Sequence, residues 1–111
     1  MEVHNIEIFG PVQSIMNVDT LDDAIKIINN HAYGNGCSLY TQNGYWARKF
    51  KIEALSGMIG INVGIPAPVA YLPFGGMKQS QFADIKTQGV AAVRFFTEDK
   101  IVTERFWPEE E

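Results

Sequence analysis

The sequence predicts an α/β fold, a small and mostly parallel sheet with flanking helices. Three observations point to it. Segments with strand-like and helix-like apolar periods follow one another in alternation. The 111 residues, 46% hydrophobic and 20% charged, have the composition of one globular domain with a single core and no disorder signature. Clusters of Gly, Pro and Asn punctuate the periodic segments where turns are needed.

After a turn at Gly10-Pro11, residues 12–18 form a strand candidate. Asp19 and Thr20 then supply an N-cap, Asp23 completes a T-x-x-D pattern, and Leu21, Ala24, Ile25 and Ile28 recur at helical spacing, so a helix is expected over 21–30. It stops at Tyr33-Gly34-Asn35-Gly36, where the glycines tolerate positive φ. Residues 37–41 form the next strand and Gln42-Asn43-Gly44 turns the chain. Ala47, Phe50 and Ala54, with Trp46 beside them, mark a second helix that ends at Ser56-Gly57. A third strand over 58–63 puts Ile59, Ile61 and Val63 on one face.

Residues 64–81 hold Pro66, Pro68, Pro73, Gly75 and Gly76, which rules out regular structure for most of the stretch; loops of this length inside a domain are functional segments or linkers. A third helix is expected within 84–96, weakened by Gly89. Residues 100–106 alternate as a strand with no hairpin partner, a pattern that seeks a sheet edge, often in another subunit. Two units result, 1–99 and a strand with an acidic tail over 100–111.

Thirteen acidic against nine basic side chains give a formal charge of −4, which argues against a nucleic-acid partner. The basic residues over 48–51 and 94–100 are interrupted by acids and aromatics and read as solvated helix faces. With one cysteine, Cys37, an internal disulfide is impossible and a Cys-based metal site lacks its companions. No apolar run approaches the roughly 18 residues of a membrane helix, and the start has no leader pattern, so a cytoplasmic location without membrane contact is expected.

Few residues suggest chemistry. An extended backbone over Glu7-Ile8-Phe9 puts a carboxylate and an aromatic edge on one face. A carboxylate can accept from both hydroxyls of a ribose and an aromatic wall can flank a nicotinamide, but a surface Glu beside a core Phe fits the local pattern better. In Pro73-Phe74-Gly75-Gly76-Met77-Lys78-Gln79-Ser80, paired glycines allow close backbone approach, either to a ligand or in a tight turn that locks the loop onto the core. Neither phosphate-binding glycine signature is present. Cys37 reads as a core thiol rather than a nucleophile. His4 and His31 read as surface residues with no ligand partner at suitable spacing. Asn62 either orients a substrate or satisfies a loop carbonyl. No catalytic and no metal-ligating residue is expected.

In this order, Glu7-Ile8-Phe9-Gly10-Pro11-Val12, Asp22-Asp23-Ala24-Ile25, Tyr33-Gly34-Asn35-Gly36 and Pro73-Phe74-Gly75-Gly76-Met77-Lys78-Gln79-Ser80 resemble the C-terminal part of the catalytic domain in the aldehyde dehydrogenase superfamily. The likeness covers essentially the whole chain. Phe96-Thr97-Glu98-Asp99-Lys100-Ile101-Val102-Thr103 resembles that family's closing oligomerisation strand, which implies a homo-oligomer formed through residues 100–106. The resemblance implies that Glu7 hydrogen-bonds the nicotinamide ribose and that Phe9 packs near the nicotinamide.

It also implies NAD or NADP as the full-length family's cofactor, with no tight binding by this chain. In the family an upstream cysteine attacks the aldehyde, hydride passes to the cofactor, and a thioester is released by water or coenzyme A. Only six residues precede Glu7, so the chain is expected to be an inactive fragment, with Met1 resembling an internal methionine. The family's paired glutamates are here Ile6-Glu7, and Gln81 follows Ser80 where many members have glycine. Gly60-Ile61-Asn62-Val63-Gly64-Ile65-Pro66-Ala67-Pro68 is similar to the branch acting on methylmalonate semialdehyde with coenzyme A.

Overall fold

A computed structural model describes residues 2–108. The expected terminal acids 109–111 and Met1 lie outside the described residues. A short 3-10 turn, Glu2–His4, precedes α1 (Leu21–Asn30), β1 (Tyr33–Gly34), β2 (Gly36–Leu39), α2 (Gly44–Glu53), β3 (Met58–Ile61), β4 (Met77–Lys78) and α3 (Gly89–Phe95). The α/β class holds. The strands divide into two two-stranded sheets, β2 with β3 in parallel and β1 with β4 antiparallel.

α1 begins where the sequence places it because Thr20 is a working cap. Its hydroxyl oxygen accepts the Asp23 N–H at 3.1 Å and donates to the Asp23 carboxylate at 2.6 Å. Asn43 does the same for α2, accepting the N–H groups of Tyr45 and Trp46. Leu21, Ile25 and Ile28 then lie one turn apart on a single face, the geometry that lets α1 pack on α2.

The core sits between these helices and the parallel pair. Ile25, Phe50 and Ala54 are its buried centre, flanked by Leu21, Ile28, Cys37, Leu39, Ile59 and Ile61. The register pairs Cys37 with Ile59 and Leu39 with Ile61, so both strands present the same pleat face to the helices. At the far end of α2, Asn29 bridges the two helices. Its amide nitrogen donates to the Glu53 carbonyl at 2.8 Å and its oxygen accepts the Leu55 N–H at 2.7 Å.

The Pro73–Ser80 motif is bound to the α1–β1 corner. Lys78 Nζ donates to the carbonyls of Ile28 and His31 at 2.7 and 3.1 Å, supplying a cation to the carbonyl end of α1. Ser80 Oγ accepts the Gly34 N–H at 3.0 Å, and the Gln79 N–H donates to the Ala32 carbonyl at 3.1 Å. Glycine is required at the crossing. A Cβ on Gly57 would fall on the Gly75 carbonyl and the Gly76 backbone. Of the two readings left open for the paired glycines, the tight turn locked onto the core is the one these contacts describe.

One expectation is corrected. Residues 12–18 form no strand: Ile15 is 83% exposed, and no ladder partner lies beside them among the described residues, so their backbone groups have nothing to pair with. The third helix lies within the expected 84–96, as Gly89–Phe95, entered through left-handed Gln88 and Gly89 at φ 68° and 54°, and none of its residues is buried. Residues 100–106 join no ladder among the described residues.

The surface is far larger than the core warrants. The accessible area is 9657 Å², against the roughly 6,100 Å² typical of a compact 12.4 kDa monomer. The radius of gyration is 21.4 Å, whereas about 13 Å is usual for this length. Ile6, Ile8, Phe9, Ile101 and Phe106 are among the exposed apolar side chains.

Candidate cofactor-facing groove

The corner where α1 ends also opens into a groove of about 1040 Å³. Its walls come from the 3-10 turn and the segment after it (His4, Glu7), from the end of α1 and β1 (Ile28, His31, Tyr33), and from Cys37, Ser56 and Ser80. Several wall residues are placed by structure already described. Lys78 and Ser80 tie the loop to the corner, and the β2–β3 register sets Cys37.

The two residues expected to meet a nicotinamide nucleotide are placed differently. Glu7 lies on the groove wall, exposed and outside any regular element. Phe9 is 94% exposed and is not part of the wall. Two successive i to i+2 hydrogen bonds, from Gly10 N–H to the Ile8 carbonyl and from Val12 N–H to the Gly10 carbonyl, bend the backbone just beyond Phe9.

Cys37 also reaches the groove, but its environment opposes nucleophilic use. Burial pushes its thiol above the ordinary value, outweighing the Ser56 hydroxyl and the Lys78 charge that act in the opposite direction. It packs against the core cluster, as a structural thiol does. Asn62 is engaged with the backbone. At φ 58° it turns its amide onto Thr41, accepting that residue's N–H at 2.8 Å and donating to its carbonyl at 3.0 Å, so it extends the β2–β3 pairing by a side chain. Among the described residues no group of three His, Cys, Asp or Glu side chains converges, and no helix is long and apolar enough to cross a membrane.

The expected surface histidines are half-buried and bonded. His31 Nδ1 accepts the Tyr33 N–H at 3.1 Å, and Nε2 lies 3.2 Å from the His4 carbonyl. Sequence reading missed both this contact and the role of Lys78. The one signal for them was the helix end itself, since its last carbonyls require donors from somewhere.

The groove carries a carboxylate acceptor and, among the described residues, no anion seat. Glu7 offers free acceptor oxygens for ribose hydroxyls. A pyrophosphate finds no comparable seat. The first turn of α1 carries Asp22 and Asp23, and the first N–H groups of α2 are occupied by Asn43.

An α/β segment with this motif order, a carboxylate on its groove wall and a large uncovered surface has the character of part of a larger catalytic-domain fold. The aldehyde dehydrogenase family model matches residues 1–102, and the chain belongs to that family. A malonate-semialdehyde dehydrogenase of Pseudomonas aeruginosa is 46% identical over 109 residues, which are 98% of this chain and 22% of the relative. Among solved structures, the methylmalonate-semialdehyde dehydrogenase DddC of Oceanimonas doudoroffii superposes with a TM-score of 0.89 at 47% identity, covering 96% of this chain and 22% of that one. An NAD complex from Sinorhizobium meliloti 1021, assigned as a methylmalonate-semialdehyde dehydrogenase, superposes at 0.93 with 41% identity over 99% of this chain and 22% of that one. The chain therefore spans about a fifth of the length of the relatives it matches.

Proposed function

We propose that the chain forms the nicotinamide-ribose wall of an NAD(P)-dependent, cytoplasmic semialdehyde dehydrogenase, the methylmalonate-semialdehyde branch being the best fit, and that alone it does not turn over aldehyde. The observation that carries this reading is Glu7, free on the wall of the groove in a chain whose relatives include an NAD complex. Glu7 would accept the ribose hydroxyls and Phe9 would border the nicotinamide. Bound NAD or NADP supplies the hydride acceptor. The residues present orient one end of it and offer no activated nucleophile, since the one thiol is held protonated by burial. Affinity for the free dinucleotide is weak, because its pyrophosphate and adenine would remain in water.

Purified chain incubated with malonate or methylmalonate semialdehyde and NAD or NADP is expected to give no reduced nucleotide, with or without coenzyme A. Turnover that disappears in Cys37→Ser would overturn the proposal.

A second reading, a non-catalytic assembly module, rests on the last segment. Ile101 is 92% and Phe106 86% exposed, in a stretch with strand-like alternation and no ladder partner among the described residues. Such an edge pairs readily with another copy. Light scattering on the chain and on a variant lacking residues 100–111 tests it; a monomer in both cases counts against self-association.

A further inference from the structure

We propose that His31 is a positioning residue, a four-way latch at the end of α1 that sets where Glu7 stands in the groove. All four of its polar groups are engaged, each with a different segment. Its backbone N–H donates to the Ile28 carbonyl at 3.3 Å, closing α1. Its carbonyl accepts Lys78 Nζ, from β4, at 3.1 Å. Ring Nδ1 accepts the Tyr33 N–H of β1 at 3.1 Å, and ring Nε2 lies 3.2 Å from the carbonyl of His4 in the N-terminal turn.

The two ring contacts are chemically linked. A nitrogen that accepts an N–H must present its lone pair, so Nδ1 is bare and Nε2 carries the hydrogen that the His4 carbonyl accepts. One neutral tautomer satisfies both partners. The other would set an N–H against the Tyr33 N–H and a lone pair against the His4 oxygen.

The contact to His4 matters because the chain just beyond it has no other anchor in regular structure. Residues 5–18 contain no helix or strand, and the hydrogen bonds within 8–12 are local turns. Glu7 is three residues beyond His4, so anchoring His4 confines Glu7 to within roughly 10 Å of that anchor, by the reach of an extended chain. The His4 ring adds an edge-on contact to the His31 ring, with centroids 5.3 Å apart. The latch stands on geometry alone; its consequence for nucleotide binding rests on the reading of Glu7 as a ribose contact.

Single substitutions separate the two halves of the ring. Asparagine ends near the position of Nδ1, glutamine reaches the position of Nε2, and phenylalanine keeps only the ring. In the ¹⁵N-labelled full chain, two-bond ¹⁵N–¹H correlation is expected to show His31 with Nε2 protonated and Nδ1 bare. His31→Asn should leave exchange of the Tyr33 amide within about twofold while amides 4–7 become mobile, and His31→Gln should do the reverse. His31→Phe should lose both, with Tyr33 exchange rising about tenfold, the scale of one hydrogen bond. The opposite tautomer, or a phenylalanine variant that keeps both protections, overturns the latch and leaves a packing ring. Millimolar NAD added to the parent chain should shift the Glu7 and Phe9 amides, and at least threefold less in His31→Phe. A verified latch without any NAD-induced shift supports the positioning of the segment and refutes the nucleotide reading of Glu7.

Discussion

The unit over residues 20–61 and the segments on either side of it, 5–18 and 97–108, all carry large apolar side chains and end in opposite states. In the first, capped helices and a parallel pair bury Ile25, Phe50 and Ala54. In the second, Phe9, Ile15, Ile101 and Phe106 stand in water with no regular structure. The difference is a second layer. An apolar stripe is stabilised only when another element covers it, and α1, α2, β2 and β3 cover one another while the flanks have nothing opposite. The excess surface of roughly 3,500 Å² over a compact monomer is of the size that obligate interfaces bury.

The sharpest way to break this contrast is a matched pair of truncations. Phe50 is 2% exposed and Phe9 94%. Phe50→Ala is expected to cost about 3–5 kcal/mol, enough to abolish cooperative thermal unfolding in a core this small. Phe9→Ala should leave the circular-dichroism melt unchanged. Equal effects would mean that the flank is packed in solution.

The loop contacts sit between these extremes. Lys78→Met removes the cation from the Ile28 and His31 carbonyls, and a loss of about 1.5–3 kcal/mol is expected in urea unfolding, the range for hydrogen bonds to charged groups. Asn62 allows a finer division. Asn62→Ala forfeits two bonds to Thr41 and keeps a left-handed φ of 58°, whereas Asn62→Gly forfeits the same bonds without the backbone strain. The alanine variant should therefore be the less stable of the two by about 1 kcal/mol. Equal stabilities would show that the strain is relieved by a local backbone change.

Legibility in the sequence divides along the same line. α1 was readable to the residue, because its cap, its acidic first turn and its apolar spacing are local signals. The strands over 36–39 and 58–61 were readable because apolar runs lie between glycine turns. Residues 12–18 carry an equally apolar pattern yet form no strand, since a ladder needs a neighbour that no local pattern reports. The groove was harder still. Glu7 was singled out through ordered motifs and not through its surroundings, and the engagement of His31, Lys78 and Asn62 depends on pairs separated by 21 to 50 positions in the chain. Such long-range side-chain bonds leave no periodic trace.

The smallest effect tests whether the covered unit owes its stability to local caps or to its core. Thr20→Ala is expected to cost about 1 kcal/mol at neutral pH, the usual worth of an N-cap. The same hydroxyl is the leading reason that the Asp23 carboxyl titrates below its ordinary value of 3.8, ahead of the hydrogen bond and charge of Lys26. A carboxyl depressed in the folded state stabilises that state at pH values above its unfolded value. That contribution is lost as pH falls below 3.8 through the folded value, where the proton that disrupts the cap binds. Parent and variant compared by urea midpoint should therefore differ most at pH 7 and converge toward pH 2. Asp23→Asn should flatten the same acid step without removing the cap. A difference that stays constant down to pH 2 would assign the whole effect of Thr20 to its bond with the Asp23 N–H, and the acid sensitivity of the unit would then have to come from carboxyls elsewhere.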